Sequence, residues 1–255
     1  MNYSRKWYKR RSTTTAGFLR SVGPSLFYDP FNMLGKGSYG EVFEGEFTNG
    51  TEKVRCAVKR VKSAFIGNDP VQWERVANEI EIMINIDHEN ILKAYTHEIT
   101  EEYIYIALEF CDNDLKKILD HIKVIGHEQE AARIIKMILS GMTELDERQI
   151  VHRDLKPANI LFRGGADGIL KICDFGCAKQ MTDGQESTST KMIDGVGSVA
   201  YAAPEFKFDK AGYTRKSEMW SIGIMLFEMI FGHHSMQMVL KDVRTSEKKG
   251  REFEL

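Results

Sequence analysis

Hydrophobic and polar residues alternate along the first part of the chain. Hydrophobic side chains recur at every second position of residues 54–58, and this period of two predicts a half-buried strand. The Asn49-Gly50 pair just before them predicts a hairpin turn. Similar strand patterns begin at about Phe31 and return at residues 103–110. The first part of the chain is therefore predicted to be mainly β-structure.

A single helix is predicted within this β-rich part. Asp69 and Pro70 mark its start, because aspartate is a favoured N-cap and proline a favoured first helical residue. An apolar stripe at helical spacing follows, comprising Val76, Ala77, Ile80, Met83 and Ile84. Glu79 lies on the same stripe. A carboxylate facing a core is costly unless a cation meets it, so we expect Glu79 to have a cationic partner.

The second part of the chain shows mainly helical spacing. Apolar residues repeat in this way at Ile134, Ile135, Ile138, Leu139, Met142 and Leu145. Short strands are predicted at residues 160–162 and 169–173, joined by a Gly164-Gly165 turn. The most apolar run, residues 219–232, contains Glu228 and is shorter than the ~20 apolar residues that a membrane span needs. We interpret it as a buried helix, and we predict an α+β fold without a membrane span.

Composition and charge narrow the functional classes. A net charge of −2 gives the whole molecule no basic signature, so we expect no nucleic-acid partner. Four scattered cysteines favour a reducing compartment. No apolar stretch follows the basic start, so we expect no signal peptide and a cytoplasmic or nuclear location. Residues 1–30 are rich in Lys and Arg, and they are interpreted either as a disordered tail or as a localisation or docking patch.

A glycine-rich segment provides the first candidate site. It comprises Gly35, Gly37, Ser38, Gly40 and Val42, and glycines at this spacing let the backbone N–H groups approach phosphates. The same pattern occurs in dinucleotide-binding folds, where a helix follows it. Here residues 41–47 have a strand pattern, which disfavours a dinucleotide site.

Lys59 shares a strand face with the small residue Ala57. Taken alone, Lys59 is better interpreted as a lysine that reaches out to solvent from a strand edge. The unexplained Glu79 favours a different interpretation, in which the two form an ion pair that holds Lys59 on ATP phosphates.

A third group of motifs follows in the second part of the chain. Residues 150–161 read Ile-Val-His-Arg-Asp-Leu-Lys-Pro-Ala-Asn-Ile-Leu, and Asp174-Phe175-Gly176 and Ala203-Pro204-Glu205 come after them. Together with the two earlier motifs, this set matches the protein-kinase signature. From about Phe31 to Gly232 the sequence resembles the eukaryotic Ser/Thr protein kinases.

The resemblance implies roles for the motif residues. Asp154 would accept the proton of the substrate hydroxyl, and Lys156 would contact the γ-phosphate of ATP. Asn159 and Asp174 would bind Mg²⁺. Lys59, paired with Glu79, would hold the α- and β-phosphates. Arg153, beside Asp154, would receive a phosphate carried by Ser187, Thr188, Ser189 or Thr190 of the activation segment, residues 174–205; a polar loop without switching is the alternative.

The resemblance also implies where adenosine binds. Leu108 falls at the gatekeeper position, and Glu109, Phe110 and Cys111 form the hinge, whose backbone would bind the adenine edge. Val42, Ala57 and Leu161 would sandwich the adenine ring, and Asp114 would reach the ribose. Each of these residues also fits a purely structural place in the core or on the surface.

The implied fold is bilobal. We predict a tail at residues 1–30, a small β-rich N-lobe at residues 31–110, a mainly helical C-lobe at residues 111–232, and a polar tail at residues 233–255. Glu218 stands where the family usually has the aspartate that caps the catalytic-loop backbone, so the longer side chain must shift to do the same. The family usually continues through further helices after Gly232, so we expect an incomplete C-lobe and a stabilising partner chain.

The sequence therefore predicts a kinase that transfers the γ-phosphate of ATP to Ser or Thr of protein substrates. Its alternative is a kinase-fold binding or regulatory protein with weak catalysis, favoured by Glu218 and the short C-lobe. A small-molecule kinase is disfavoured by Ala203-Pro204-Glu205, which belongs to kinases of protein substrates.

Overall fold

The chain divides into two compact units. A computed structural model describes residues 19–37, 40–67, 69–165, 167–181, 200–203 and 213–248. The first unit comprises residues 1–112 and 162–169, and the second comprises residues 113–161 and 170–255. The first contains mainly β-strands and the second mainly helices, which confirms the predicted α+β class.

A six-stranded antiparallel sheet dominates the first unit. Its strands, in the spatial order β1-β2-β3-β4-β6-β5, are β1 (Arg20–Ser21), β2 (Leu26–Gly37), β3 (Gly40–Asn49), β4 (Glu52–Lys62), β5 (Ala94–Ile99) and β6 (Tyr103–Glu109). Asn49 pairs with Glu52 across the predicted hairpin turn, where Gly50 has a φ of 63°. This left-handed conformation suits glycine, which has no Cβ to clash.

The sheet begins earlier than the sequence pattern predicts. β1 and residues 26–30 of β2 precede Phe31, and both Leu26 and Tyr28 are fully buried. They belong to a cluster on one face of the sheet that comprises Leu26, Tyr28, Phe43, Cys56, Val58, Tyr105 and Ala107. Residues 20–21 and 26–30 therefore belong to strands of the sheet and not to a disordered tail, and Leu26 and Tyr28 pack in this cluster. Residues 1–18 lie outside the described residues, and the other predicted domain limits stay a prediction.

Two helices accompany this sheet, α1 (Ser63–Ile66) and α2 (Pro70–Asn85). As predicted, the Asp69 carboxylate caps α2 by accepting the Val71 N–H at 2.9 Å. The buried residues of α2 are Val76, Glu79, Ile80, Ile82 and Met83. Ala77 and Ile84, which the apolar stripe includes, are exposed instead. The buried face of α2 is thus shifted relative to the stripe, because it includes Ile82 in place of Ala77 and Ile84, and it contains Glu79.

The second unit contains α3 (Leu115–Ile122), α4 (Glu128–Glu147) and α5 (Arg215–Lys248). Short strands lie between these helices: β7 (Asn113–Asp114), β8 (Ile150–Val151), β9 (Ile160–Arg163), β10 (Ile169–Ile172) and β11 (Lys179–Gln180). They form one sheet in the order β10-β9-β7 and a β11-β8 pair, and the boundary between the units falls within β9. Two short 3₁₀ turns, Pro157–Asn159 and Phe175–Cys177, carry site residues.

The helix α5 contains the apolar run that the sequence interprets as buried. Ile222, Met225 and Met229 are buried, whereas Met219 and Phe231 are more than half exposed. The helix is kinked at Gly232, whose φ is 82°. In the part of the chain that the structure describes, no helix has the length and apolar character needed to cross a bilayer.

Candidate active site

The glycine-rich segment forms the end of β2 and the start of β3. Gly35 pairs with Val42, and Gly37 pairs with Gly40. A Cβ at Gly40 would lie 2.3 Å from the Arg60 carbonyl oxygen, so only glycine fits there. Among the residues that the structure describes, apart from Gly35 and its chain neighbours, no heavy atom lies within 4 Å of a Cβ built at Gly35. This open space is consistent with the predicted approach of a phosphate to the Gly35 backbone. Ser38 lies outside the described residues.

Lys59 forms the ion pair that the sequence predicts. Its ammonium group donates to Glu79 Oε1 at 2.5 Å and to Oε2 at 2.7 Å. The side chains are 14% and 5% exposed. Lys59 lies on β4 and Glu79 on the buried face of α2, so the pair joins the sheet to that helix. The costly burial of the Glu79 carboxylate is offset by this bidentate contact. The role of the pair toward ATP stays a prediction.

Most residues of the first unit that are predicted to lie around adenine belong to neighbouring strands. Ala57 of β4 pairs with Leu108 of β6, and both are buried. Val42 pairs with Lys59. Glu109 ends β6, and its N–H donates to the Lys93 carbonyl at 2.9 Å. Cys111 follows two residues later and is partly exposed.

The other two adenosine-binding candidates, Asp114 and Leu161, belong to the second unit. Asp114 has a structural role, because its Oδ1 caps α3 by accepting the Lys117 N–H at 2.8 Å. Its Oδ2 also lies 2.9 Å from the Lys117 ammonium nitrogen. Leu161 is partly buried on β9. Their contacts with adenosine stay predictions.

Residues of the 150–161 motif, which contains the predicted catalytic loop, converge on the Asp154 carboxylate. Lys156 Nζ donates to Asp154 Oδ2 at 2.6 Å, and Asn159 Nδ2 donates to the same oxygen at 3.1 Å. Asn159 Nδ2 also donates to the Asp154 carbonyl at 2.8 Å. These contacts orient Asp154 within a tight loop. The structure thus brings together three of the residues predicted to act on the reacting groups.

The predicted metal ligands, Asn159 and Asp174, both belong to the second unit. The Asn159 amide nitrogen is engaged by Asp154, and this orientation leaves the side-chain Oδ1 as the group suited to a metal ion. The Asn159 carbonyl accepts the Cys173 N–H at 3.0 Å, so the backbone beside Asp174 is held next to Asn159. Carboxylate and amide oxygens are ligands that Mg²⁺ accepts. The donor set therefore fits Mg²⁺, and binding stays a prediction.

Glu218 performs the capping role that the sequence expects of it. Its Oε1 accepts the His152 N–H at 2.6 Å and the Arg153 N–H at 3.0 Å. Arg153 has a φ of 66°, a conformation that L-residues rarely adopt, so these bonds help to hold it. Glu218 is 4% exposed. Burial raises the pKa of Glu218 to about 7, although the two N–H donors oppose this shift.

His152 connects the catalytic loop with the Asp174-Phe175-Gly176 segment. Its Nε2 lies 3.0 Å from the Cys173 carbonyl, which accepts, and its Nδ1 accepts the Asp154 N–H at 3.3 Å. The ring also packs on Phe175 with centroids 5.0 Å apart. Burial lowers the pKa of His152. The two bonds therefore define a neutral imidazole that carries its proton on Nε2.

A second buried network, which the sequence pattern does not indicate, anchors the end of the activation segment. Tyr201 Oη donates to Glu228 Oε2 at 2.5 Å, and the Tyr201 carbonyl accepts the Ser221 hydroxyl at 2.9 Å. Burial raises the pKa of Tyr201, so its hydroxyl stays a donor. His233 Nδ1 lies 2.6 Å from Glu228 Oε1. The only sequence signal was Glu228 itself, a carboxylate within an apolar run.

Residues 187–190 of the predicted activation segment, together with Pro204 and Glu205, lie outside the described residues. The side chain of Arg153, the predicted phosphate receptor, donates from Nε to the Cys177 carbonyl at 2.6 Å.

Comparison with known proteins gives the family. The model of the protein kinase domain matches residues 28–252. The chain therefore belongs to the protein kinase domain family. Proteins of this family typically use ATP and Mg²⁺.

Three relatives illustrate the similarity. The chain is 31% identical to the serine/threonine-protein kinase TIO of Arabidopsis thaliana over 80% of this chain and 15% of that protein. It is 33% identical to a probable myosin light chain kinase of Dictyostelium discoideum over 81% of this chain and 41% of that protein. A mitogen-activated protein kinase homolog of Nicotiana tabacum is 31% identical, with 81% and 54% covered. The chain thus spans 15 to 54% of the length of these relatives.

Proposed function

We propose that this chain is an active protein kinase that transfers the γ-phosphate of ATP to serine or threonine of other proteins. The observation that carries the proposal is the arrangement around Asp154, whose carboxylate is held by Lys156 at 2.6 Å and by Asn159 at 3.1 Å. A carboxylate fixed in this way is suited to orient a hydroxyl group and to accept its proton.

The reaction follows from this arrangement. The substrate hydroxyl oxygen attacks the γ-phosphorus, the bond from that phosphorus to the bridging oxygen breaks, and ADP leaves. Asp154 accepts the hydroxyl proton. The Lys156 ammonium group is within reach of Asp154 and balances negative charge on the transferred group. Positioning and charge neutralisation are the main tasks of a protein in this chemistry.

The nucleotide is assigned to further residues of the chain. Lys59, fixed by Glu79, would hold the α- and β-phosphates, and the backbone around Gly35 would lie against the phosphates. Asn159 and Asp174 would hold Mg²⁺, which neutralises phosphate charge when it is bound. The residues from 109 to 111 would present backbone groups to the adenine edge.

Serine or threonine is the favoured acceptor for two reasons. Lys156, two positions after Asp154, resembles the lysine of Ser/Thr kinases. The similar protein of Arabidopsis thaliana is a serine/threonine-protein kinase. For the location of the protein, cytoplasm or nucleus stays our proposal.

The alternative is a kinase-fold binding or regulatory protein with weak catalysis. Glu218 favours this alternative in the sequence, because its side chain is longer than that of the aspartate usual at the capping position. The contacts of Glu218 with the His152 and Arg153 N–H groups support the enzyme, since the catalytic loop is capped despite the longer side chain.

The two functions are separated by incubation with ATP, Mg²⁺ and a generic protein substrate such as casein, followed by phosphoamino-acid analysis. We expect phosphoserine or phosphothreonine with the wild-type chain. Asp154→Asn should bind Mg²⁺-ATP and transfer no phosphate, whereas Asp174→Ala should lose metal-dependent nucleotide binding. Transfer by Asp154→Asn at the wild-type rate would refute the assignment of the base. Nucleotide binding by the wild type without any transfer would favour the regulatory protein.

A further inference from the structure

The connecting segment, residues 109–112, is the last stretch of the first unit before the chain enters the second unit at Asn113. Under the proposed function its backbone binds the adenine edge of ATP. A backbone edge can bind adenine well only if it is held in one conformation, because disorder in the free protein would have to be removed on binding. The contacts that hold this segment are therefore relevant to nucleotide affinity.

Arg163 holds the start of the connecting segment. Its Nη1 donates to Glu109 Oε1 at 2.5 Å. The Glu109 side chain is 5% exposed, whereas that of Arg163 is 56% exposed. A buried carboxylate has lost most of its hydration, so a guanidinium bond to it is stronger than one between two exposed groups. The contact links residues 54 positions apart in the chain.

The rest of the connecting segment is held by neighbouring contacts within the first unit. The Arg55 guanidinium carbon lies 3.6 Å from the centroid of the Phe110 ring, which is a cation–π distance. The Asp112 N–H donates to the Phe162 carbonyl at 2.8 Å. Asp112 Oδ2 accepts the Gly164 N–H at 2.7 Å. Residues 162–164 thus contact both ends of the segment.

We propose that Arg163 is a positioning residue for the nucleotide, which acts by holding Glu109 and thereby the backbone that binds adenine. This inference rests on the proposed function. The Arg163 contact is made by a half-exposed side chain to a buried charge, so substitution of Arg163 removes it without changing a buried residue. Arg163 is not among the residues assigned to the reacting groups, and its loss should therefore change nucleotide affinity and not the rate of transfer.

The test compares the wild-type chain with Arg163→Met, which keeps an unbranched apolar stem and removes the guanidinium group. Arg163→Lys is the conservative variant. Lys53→Met is the matched control, because Lys53 forms an exposed 2.6 Å ion pair with Glu46 in the same unit. The measurements are the Kd for Mg²⁺-ADP by calorimetry, and KM for ATP and kcat with a protein substrate.

We expect Arg163→Met to raise the Kd for Mg²⁺-ADP and the KM for ATP about three- to tenfold, with kcat within about twofold. Arg163→Lys should recover most of the affinity, and Lys53→Met should match the wild type. A Kd for Arg163→Met within twofold of the wild-type value would overturn the proposal, and so would a loss confined to kcat. If Arg163→Met does not fold, Arg163→Ala removes the same contact without placing a long apolar side chain on the surface, and the same outcomes apply.

The result separates this inference from the proposed function. A wild-type chain that binds Mg²⁺-ADP but transfers no phosphate would refute the kinase activity, and the Kd comparison would still decide the role of Arg163. An unaffected Kd in Arg163→Met beside normal transfer would refute only the role of Arg163. A wild-type chain that does not bind the nucleotide would overturn both.

Discussion

Glu218→Gln should change how the stability of the chain depends on pH. In the folded chain the Glu218 carboxyl is 4% exposed, and burial raises its pKa from 4.5 to about 7. Glutamine keeps a carbonyl oxygen that can accept the His152 and Arg153 N–H groups, but it does not titrate. The substitution therefore separates the titration of Glu218 from its capping role.

The linkage between protonation and folding gives the sign and size of the effect of Glu218 on the free energy of unfolding. Because the folded pKa lies above the unfolded value, the folded chain keeps a proton that the unfolded chain releases between pH 4.5 and about 7. The contribution of Glu218 to the free energy of unfolding is complete below pH 4.5 and is lost as the pH rises through 7. Between pH 5 and 8 the loss amounts to about 2 to 3 kcal/mol, at ~1.4 kcal/mol per pKa unit.

The assay is urea unfolding at pH 5, 6, 7 and 8, followed by tryptophan fluorescence. Burial lowers the pKa of His152, which has the opposite effect on stability, but wild type and variant share this term. The difference between their unfolding free energies therefore reports Glu218 alone. From pH 5 to pH 8 we expect the unfolding free energy of Glu218→Gln to rise by about 2 to 3 kcal/mol relative to that of the wild type. Exposed Glu81→Gln is the control, and a difference for Glu218→Gln that is as constant as the control's would refute the reasoning.

Three further predictions concern the other contacts of the site. Lys59→Met should lower kcat/KM for ATP by about a hundredfold or more. Glu79→Gln should lower it by less, because this substitution leaves the lysine present. Steady-state kinetics test this prediction, and equal losses in the two variants would contradict it. Tyr201→Phe should cost about 1 to 3 kcal/mol of unfolding free energy in urea titrations, because it leaves the buried Glu228 without its hydroxyl donor, and no measurable cost would show that the bond is dispensable. A variant with alanine at all four positions of 187–190 should be less active than wild-type chain phosphorylated there, since a phosphate of about −1.5 to −2 charges pairs well with arginine. Equal rates for this variant and for wild type shown to be phosphorylated at these positions would contradict the prediction.

Much of the site was predictable because its signals are local in sequence. Asp69 and Pro70 mark the start of α2 by their own chemistry, and the structure has the cap. Glu79 was conspicuous as a carboxylate on an apolar stripe, so a cationic partner was expected, and Lys59 is that partner. Motifs with fixed spacing placed Asp154, Lys156 and Asn159 in one loop.

Features that depend on distant packing were not predictable. The Asp29-Pro30 pair interrupts the hydrophobic pattern of the first strands, and nothing local indicates that Leu26 and Tyr28 pack against residues of β3, β4 and β6. The contact of Arg163 with Glu109 likewise joins positions whose neighbours in sequence give no sign of each other. Such partners are set by strand register and not by composition.

The cap on the catalytic loop has a consequence for protein synthesis. Glu218 is separated from Arg153 and His152 by 65 and 66 residues, whereas Lys59 and Glu79 are 20 apart. At an elongation rate of about 5–20 residues per second, a ribosome makes Glu218 roughly 3 to 13 s after the loop that it caps. An unfinished chain can therefore form the Lys59–Glu79 pair early but has to wait for α5 before the catalytic loop is held. We expect chains released before α5 is made to have a folded six-stranded sheet and no phosphotransfer activity.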